Sequence, residues 1–582
     1  MKKLIKNCLL LFEKKEKKIA LLIFFNSFII SIFEIIGIGI IPVFISFLIN
    51  PDKFVNTDLY FFNFIKSFDL LKYNSIIALS SAIIIFFIFK NIYSIFSIYL
   101  QENFFKKVRI SIVEKLLKNY TKKDYNFFLN INSTVLIRNI LNESIISVSF
   151  LTIFLNFSRE FILTIFILIL LTILEPLVIL SIIFLVSICL FIYFIVTRQR
   201  IKNMSIKARE FRSHLLKDLN HLFGSIKLVK VLNRESFFSK AFLKKFSESE
   251  KLRIFIVFFT RFPRHIVEIL VVGMLLSLLI LMTEFSNKEF IEIIPILAFF
   301  TMCALRLMPA INVITASYPT LRTNYTSLNF VAQDLLEYKK LQNLSNISEK
   351  KNYYNIAKGK NINLVDVCYS YKNSEKIFDR VSLSLPIGES IAVMGESGAG
   401  KSTLMDLLMG LQKPQEGKIL YDNQDIFIST KDWQRNFGYI PQNVNLIDET
   451  IQNNVAFGID EDKINIGKVI DSIKRSQLEK LIDTSEKGLD TIIGERGSRI
   501  SGGQIQRIGI ARALYNDPKI LIFDESTNSL DKKTEEKLLN DIFKLKENYS
   551  IIIITHDLSI AERCNIIYQI KDKKITLLKK TK

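Results

Sequence analysis

The sequence predicts a polytopic α-helical membrane domain followed by an α/β domain. Hydrophobic residues make up 49% of the 582-residue chain, which has 49 phenylalanines but only 20 glycines and 11 prolines. Long apolar runs all lie before residue 320, whereas short β-branched segments separated by turns begin near residue 360. This composition excludes a disordered chain, a collagen-like repeat and an ordinary soluble enzyme.

The charge distribution separates the same two halves. Residues 1–350 hold 43 basic and 24 acidic side chains, a net charge of +19, and residues 351–582 hold 34 and 32, a net charge of +2. A nucleic-acid binder needs its cations on a water-facing groove, whereas a membrane protein places them in cytoplasmic loops. Because the basic half is also the apolar half, we expect a lipid bilayer and not a nucleic acid as partner.

Six apolar runs are long enough to cross a membrane, since a spanning helix needs about 20 such residues. They cover residues 19–50, 76–100, 145–174, 176–196, 254–283 and 290–318. The basic segment before the first run predicts a helix on the cytoplasmic membrane surface. We therefore predict a transmembrane domain over residues 1–340, a linker over 341–360 and an α/β domain over 361–582.

The topology follows from the basic connections. Residues 101–145 carry eight Lys or Arg and residues 198–253 carry fifteen, whereas residues 51–75 carry three basic and three acidic side chains. Cytoplasmic loops are enriched in Lys and Arg, so both termini are expected in the cytoplasm. The two inside connections are long, and the spans should continue into the cytoplasm as helices. Residues 58–71 form either an amphipathic helix at the outer interface or an ordinary loop.

A glycine-rich segment opens the α/β domain. A buried strand, a loop and a helix follow one another in the pattern G-x-x-x-x-G-K-S. In this context backbone N–H groups wrap phosphates, Lys401 reaches the terminal phosphates, and Ser402 can ligate Mg²⁺. The predicted phosphate-binding residues are Gly395, Glu396, Ser397, Gly398, Ala399, Gly400, Lys401, Ser402 and Thr403.

Two carboxylates end a second apolar strand, in the sequence KILIFDES. Burying unpartnered charge is costly, so Asp524 and Glu525 need a purpose beyond structure. Beside a phosphate loop, Asp524 can hold Mg²⁺ and Glu525 can deprotonate or orient an attacking water. Residues 501–504, Ser-Gly-Gly-Gln, begin another helix and offer backbone donors to an anion.

Together these motifs resemble the ATPase domain of ATP-binding cassette (ABC) transporters. The resemblance implies ATP and Mg²⁺ as ligands, with Asp531 in the D-loop and with Gln442 near both the metal and the attacking water. It implies that Ser501, Gly502, Gly503 and Gln504 form the signature motif, that His556 is the switch histidine and that Tyr371 stacks on adenine. Taken singly, Tyr371 is also typical of a half-buried strand tyrosine and His556 of a core histidine.

The order of the domains resembles the exporter class of ABC transporters, with GERG at residues 494–497 as a further shared motif. In that family the signature of one subunit contacts the ATP of the other. A chain with one cassette is therefore expected to form a homodimer. The inside turns 125–139 and 220–233 are candidates for helices that dock on the cassette, or are simple solvated connections.

Charged residues within the apolar runs are candidates for binding the cargo. An unpaired charge there costs several kcal/mol, so these side chains should face a cavity or one another. The candidate substrate-binding residues are Glu34, Lys90, Arg261, Arg264 and Arg306. Ion pairs such as Glu34 with Arg306 are the alternative. The stretch Ala304 to Pro309, with Pro263-Arg264 and Glu34 ahead of Pro42, resembles bacterial lipid-linked oligosaccharide flippases of the PglK type. Lys90 departs from the arginine of that family and loses its planar fork.

The resemblance implies ATP-driven flipping of an anionic glycolipid, a polyprenyl-diphosphate oligosaccharide, from the inner to the outer leaflet of a bacterial inner membrane for protein glycosylation. A general exporter of drugs, lipids or peptides is the alternative within the same architecture. A non-transport ATPase with the same cassette, acting on DNA or ribosomes, is disfavoured by the six apolar runs.

Overall fold

The computed structural model describes residues 2–49, 75–174, 176–285, 290–345 and, with gaps at 355, 358–359, 372–374, 495–496 and 526–531, residues 354–580. They form two compact units. The first comprises Met1–Lys122 and Asn132–Gln342, and the second comprises Lys123–Ile131 and Asn343–Lys582. The predicted outer segment 58–71 lies outside the described residues.

Long helices dominate the first half of the chain. They are α1 Lys2–Leu11, α2 Lys14–Ile49, α3 Ser75–Thr121, α4 Tyr125–Asn130, α5 Ser133–Arg138, α6 Ser144–Leu174, α7 Pro176–Gly224, α8 Ile226–Val231, α9 Glu235–Phe285 and α10 Phe290–Ser345. Helix α3 has 47 residues and α10 has 56. At about 1.5 Å per residue, α3 extends roughly 70 Å, more than twice the hydrocarbon thickness of a bilayer. The spans therefore continue well beyond a membrane, as the long basic connections predicted.

Four helical stretches of the described chain are long and apolar enough to cross a membrane. They are Lys14–Ile49, Leu79–Thr121, Ser133–Ile173 and Ile293–Lys340. These stretches match four of the six predicted spans. The predicted spans 176–196 and 254–283 lie within α7 and α9, where many side chains are outside the described set. The count of six spans stays a prediction.

The spanning helices bury part of their apolar surface and leave many other apolar side chains exposed. Ile38 of α2, Leu163 and Ile167 of α6, and Phe300 of α10 pack together in one buried cluster. Isoleucines elsewhere on these helices, such as Ile77 of α3 and Ile173 of α6, are exposed. An apolar helix surface of this kind is stable where lipid, not water, surrounds it.

Two sheets form the core of the second unit. Their strands are β1 Asn361–Ser370, β2 Lys376–Pro386, β3 Ser390–Gly395, β4 Glu416–Tyr421, β5 Gln424–Asp425, β6 Phe437–Ile440, β7 Ile520–Asp524, β8 Ser550–Ile554, β9 Ile566–Lys571 and β10 Lys574–Lys580. The four-stranded sheet has the order β2-β1-β4-β5, and the six-stranded sheet the order β10-β9-β3-β8-β7-β6. In the second sheet β9, β3, β8, β7 and β6 run parallel, and only β10 is antiparallel to its neighbour.

The parallel strands place the predicted motifs at one edge. All five residues of β7 and of β8 are buried, as expected of central strands covered on both faces. Because the strands run parallel, their carboxyl ends share an edge. The loop after β3, Asp524 at the end of β7 and His556 just beyond β8 therefore meet there.

Several helices pack against these sheets. The α-helices that follow β3 are α11 Lys401–Leu408, α12 Thr430–Gln434, α13 Ile451–Val455, α14 Ile466–Arg475, α15 Glu479–Thr484, α16 Gly502–Leu514, α17 Lys532–Lys544 and α18 Leu558–Glu562. Residues 123–131, which include α4, belong to this unit. The other candidate turn, with α8, belongs to the first unit.

Helix α10 continues to Ser345, into the predicted linker 341–360. The helix persists because no glycine or proline follows Pro319 before that point. The first residues of the predicted linker are thus helical.

Candidate nucleotide site

The phosphate loop joins β3 to α11 through glycines that no other residue could replace without strain. Gly400 has φ +102°, and a Cβ there would lie 2.5 Å from Cγ2 of Ile377. Gly395 approaches β9 so closely that its Cβ would lie 2.9 Å from the carbonyl oxygen of Ile570. The loop is thus held against the four-stranded sheet on one side and against β9 on the other.

Lys401 begins α11 and folds back over this loop. Its Nζ donates to the carbonyl oxygens of Gly395 at 2.9 Å and Glu396 at 3.1 Å, and lies 3.4 Å from Oε1 of Glu525. The side chain is only 7% exposed. A buried ammonium group needs partners, and this one has three oxygens around it. The arrangement presents a cation at the centre of the loop, where a terminal phosphate is expected.

Asp524 lies between two hydroxyl groups. Ser402 Oγ donates to Oδ1 at 3.4 Å, and Tyr439 Oη donates to Oδ2 at 3.1 Å. Burial raises the pKa of Asp524, and the two hydrogen bonds act in the opposite direction. A hydroxyl and a carboxylate oxygen are ligands that Mg²⁺ prefers, so Ser402 and Asp524 fit the predicted metal.

Three of the predicted polar side chains lie around the carboxylate of Glu525. Gln442 Nε2 donates to its Oε2 at 3.2 Å, and Oε1 lies 3.4 Å from Lys401 Nζ and 3.8 Å from His556 Nδ1. The residue has φ +44°, a left-handed backbone conformation that is strained for glutamate. The Gln442 amide thus contacts Glu525, whereas the prediction also placed Gln442 near the metal.

The signature residues begin α16 and satisfy its first N–H groups. Ser501 Oγ accepts from the Gln504 backbone N–H at 3.4 Å, and Gln504 Oε1 accepts from the Ser501 N–H at 2.8 Å. This reciprocal pair is a capping box. Ser501 and Gly502 are exposed, and Gly503 is half-buried. Asp531 and residues 495–496 of GERG lie outside the described residues.

Tyr371 follows β1 and lies against the phosphate-loop helix. Its hydroxyl is 3.2 Å from Thr403 Oγ1, and its ring meets Tyr369 edge-on with centroids 5.3 Å apart. The ring is half-buried. An aromatic surface therefore borders the loop on the side where an adenine is expected.

Two residues near this site were not predicted. Tyr439 donates to Asp524, and Asp406 lies close enough to Asp524 that burial and this second negative charge raise the pKa of Asp406 to about 6. Asp406 follows Ser402 by four residues in α11, and an i, i+4 spacing places both on one helix face. That spacing was the available signal for Asp406.

Predicted substrate residues in the first unit fall into two groups. Glu34 Oε2 lies 3.1 Å from Lys90 Nζ and 3.4 Å from Arg306 Nε, so both cations share one carboxylate. Arg306 also pairs with the buried Glu160 at 3.1 Å, which in turn pairs with Arg159 at 2.9 Å. We call these five residues the intramembrane charge cluster. It contains three cations and two carboxylates, and it realises the alternative in which Glu34 and Arg306 form an ion pair.

Arg261 and Arg264 form the second group, on α9. Both side chains are exposed, and among the described residues neither shows an acidic partner. The neighbouring Glu268 instead lies 3.8 Å from His265 Nδ1. The structure thus does not bring Arg261 and Arg264 into the intramembrane charge cluster.

Comparison with known proteins shows which family model part of the chain matches and which solved fold it shares. Residues 378–528 match the family model described as ABC transporter. In fold the chain is similar to a solved bacterial Atm1-family ABC exporter with ATP bound, with a TM-score of 0.72, 18% identity, and coverage of 97% of this chain and 95% of that chain. The predicted fold, a helical membrane domain followed by an ABC ATPase domain, is confirmed as that of an ABC exporter.

Similar sequences point to the same class. A putative export ATP-binding/permease protein of Rickettsia typhi is 30% identical over 65% of this chain and 64% of its own length. An ATP-dependent lipid A-core flippase of Vibrio parahaemolyticus is 37% identical over 37% of each chain. The matches thus span less than two thirds of these relatives. They support the predicted ATP-hydrolysing transporter and leave the cargo open.

Proposed function

We propose that the protein is an ATP-driven exporter that hydrolyses ATP at the edge of the six-stranded sheet. The convergence of Lys401, Gln442 and His556 on Glu525 carries this proposal. Glu525 accepts the proton of the attacking water, Gln442 orients that water, and Lys401 binds the terminal phosphate. Ser402 and Asp524 would hold Mg²⁺, which would neutralise charge on the phosphate oxygens when bound.

The working form is a homodimer. Ser501 and Gly502 are exposed at the N-terminus of α16, a helix of 13 residues whose dipole favours an anion. In ABC transporters, which this chain resembles, the signature end of this helix contacts the ATP bound by the other subunit. A chain with one cassette therefore needs a second copy to complete each ATP site.

Transport requires that nucleotide binding moves the spanning helices. The segment 123–131 joins α3 to α5 in sequence yet belongs to the compact unit of the nucleotide site. Burial raises the pKa of Tyr125, and the next cause is the negative charge of Asp406. Helix α4 is therefore the connection through which closure of the cassettes opens the membrane domain toward the outside.

The cargo is a polyprenyl-diphosphate oligosaccharide, flipped from the inner to the outer leaflet of a bacterial inner membrane with both termini in the cytoplasm. The intramembrane charge cluster has one more cation than carboxylates, and Arg261 and Arg264 are exposed. Guanidinium groups bind phosphates in a bidentate manner. A relative that acts on lipid A-core supports a lipid-linked cargo in general.

Export of other lipids, drugs or peptides is the second candidate. The Vibrio relative matches only 37% of this chain, and the motifs shared with ABC transporters belong to the cassette. A shared cassette is compatible with many cargoes.

The test is movement of a polyprenyl-diphosphate oligosaccharide across proteoliposomes that contain the purified protein. ATP-dependent movement that is lost in Glu525→Gln supports the proposal. ATP hydrolysis without movement of the glycan lipid would support the proposed ATPase function but contradict this cargo. Labelled phospholipids, drugs and peptides would then be tested in the same vesicles.

A further inference from the structure

In the described part of the chain, Tyr439 is the one side chain outside the predicted site residues that donates a hydrogen bond to Asp524. It stands on β6, three residues before Gln442. Its hydroxyl lies 3.1 Å from Oδ2, whereas Ser402 lies 3.4 Å from Oδ1. The two carboxylate oxygens therefore have different partners.

We propose that Tyr439 is a positioning residue that holds the Asp524 carboxylate in the orientation required for Mg²⁺ with nucleotide. The inference rests on the proposed ATPase function. Oδ1 points toward Ser402, the other predicted metal ligand, and the hydrogen bond from Tyr439 to Oδ2 opposes rotation of the carboxylate. Partners of this kind fix the orientation of a ligand, and their loss typically weakens metal binding about 10–100-fold.

The position of β6 explains how the hydroxyl reaches the carboxylate. Strand β6 is the edge strand of the six-stranded sheet and pairs in parallel with β7, with Tyr439 opposite Ile522 and Ile440 opposite Phe523. The side chain of Tyr439 projects from the face opposite to its buried neighbours Gly438 and Ile440. Because Asp524 ends β7, a long side chain at this register can reach the end of the neighbouring strand.

One short segment thus contacts both carboxylates at the end of β7. Tyr439 donates to Asp524, and Gln442 donates to Glu525 at 3.2 Å. A phenol is a protonated donor at neutral pH, so the hydrogen bond to an ionised Asp524 is charge-assisted. Phenylalanine at this position would keep the ring and remove only the donor.

The experiment compares Tyr439→Phe with a matched control. Tyr354 also donates through its hydroxyl, to the backbone carbonyl of Asp425 at 2.9 Å, but it lies against the four-stranded sheet. The dissociation constant of Mn²⁺, used as a paramagnetic probe, is measured by electron paramagnetic resonance on full-length protein in nanodiscs with a non-hydrolysable ATP analogue. The Mg²⁺ concentration for half-maximal ATP hydrolysis is measured in parallel.

We expect about a tenfold higher Mn²⁺ dissociation constant and Mg²⁺ requirement in Tyr439→Phe, and wild-type values in Tyr354→Phe. Nucleotide binding in excess chelator should stay unchanged, which shows that the variant is folded. Equal Mn²⁺ dissociation constants in wild type and Tyr439→Phe would overturn this inference and leave the proposed ATPase function unaffected. Wild-type protein that bound no Mn²⁺ with nucleotide would instead overturn the proposed function and the inference with it.

Discussion

Gln442 donates its side-chain amide to Glu525, with Nε2 3.2 Å from Oε2, across 83 residues of sequence. The same carboxylate lies 3.4 Å from Lys401 Nζ. Glu525 is therefore fixed from two sides, and its left-handed backbone, with φ +44°, is maintained by its surroundings. Such pre-organisation is expected of a group that accepts a proton.

Glu525→Gln tests this assignment. The substitution keeps the shape and a hydrogen bond to Gln442 but removes the base, so ATP hydrolysis should fall by about 100-fold or more. Binding of ATP should persist, because Lys401 and the phosphate loop are unchanged. Phosphate release and nucleotide binding on the purified protein measure the two effects.

Glu562→Gln is the matched control, since Glu562 is exposed on α18. It should hydrolyse ATP at the wild-type rate. Wild-type turnover in Glu525→Gln would contradict the role of Glu525 as the base and would assign proton transfer to another group.

The sequence predicted what depends on local order. The glycines lie in one loop that leads directly to Lys401 and Ser402 at the start of α11, and Asp524 and Glu525 are adjacent at the end of β7. Each motif could therefore be recognised by itself. The contact of Tyr439 with Asp524 spans 85 residues and depends on the register of β6 against β7, which no local pattern encodes.

The membrane domain shows the same division. Apolar length predicted the four spans that the described helices match, because the bilayer imposes a length of about 20 residues. Which helix faces meet depends on packing, so the pairing of Arg306 with Glu160, 146 residues apart, could not be derived. The ion pair of Glu34 with Arg306 was available only as one of two alternatives.

A comparison of two glycines tests the geometry of the phosphate loop. Both have positive φ, but a Cβ at Gly400 would lie 2.5 Å from Ile377, whereas a Cβ at Gly398 would meet nothing within 4 Å. Gly398→Ala should cost about 1–2 kcal/mol of backbone strain. Gly400→Ala combines backbone strain with a steric clash. ATP binding should therefore be weaker in Gly400→Ala than in Gly398→Ala. Titrations with a fluorescent ATP analogue measure the nucleotide affinity of both variants. Equal losses of affinity would show that the clash at Gly400 is relieved.

Asp406 predicts a dependence of stability on pH. Its pKa of about 6 in the folded protein, due first to burial and next to Asp524, exceeds the ordinary value of about 3.9 expected when unfolded. Because the folded state resists ionisation, the free energy of unfolding falls as the pH rises from about 4 to about 6. After allowance for solvent screening, Asp406→Asn should therefore stabilise the protein by about 1–2 kcal/mol at neutral pH, and by less at about pH 5.

Thermal unfolding of the full-length protein at the two pH values measures this effect. Asp462→Asn, at an exposed position, is the control and should leave the pH dependence unchanged. An unfolding temperature that responded equally to both substitutions would contradict the effect of burial at Asp406.

Arg306 and Arg264 should differ in what their loss disturbs. Arg306→Ala leaves the carboxylate of Glu160, which is 3% exposed, with fewer partners, and breaking such a pair costs about 3 kcal/mol. Arg264 is exposed and has no acidic partner among the described residues, so Arg264→Ala should preserve the unfolding temperature and ATP hydrolysis while slowing glycan-lipid movement. Unfolding in detergent and flipping in proteoliposomes measure the two properties.

In the double variant Arg306→Met/Glu160→Gln both charges are absent, and part of the lost stability should return. A fall in unfolding temperature as large in Arg264→Ala as in Arg306→Ala would instead make both arginines structural, and the anion would have to bind elsewhere.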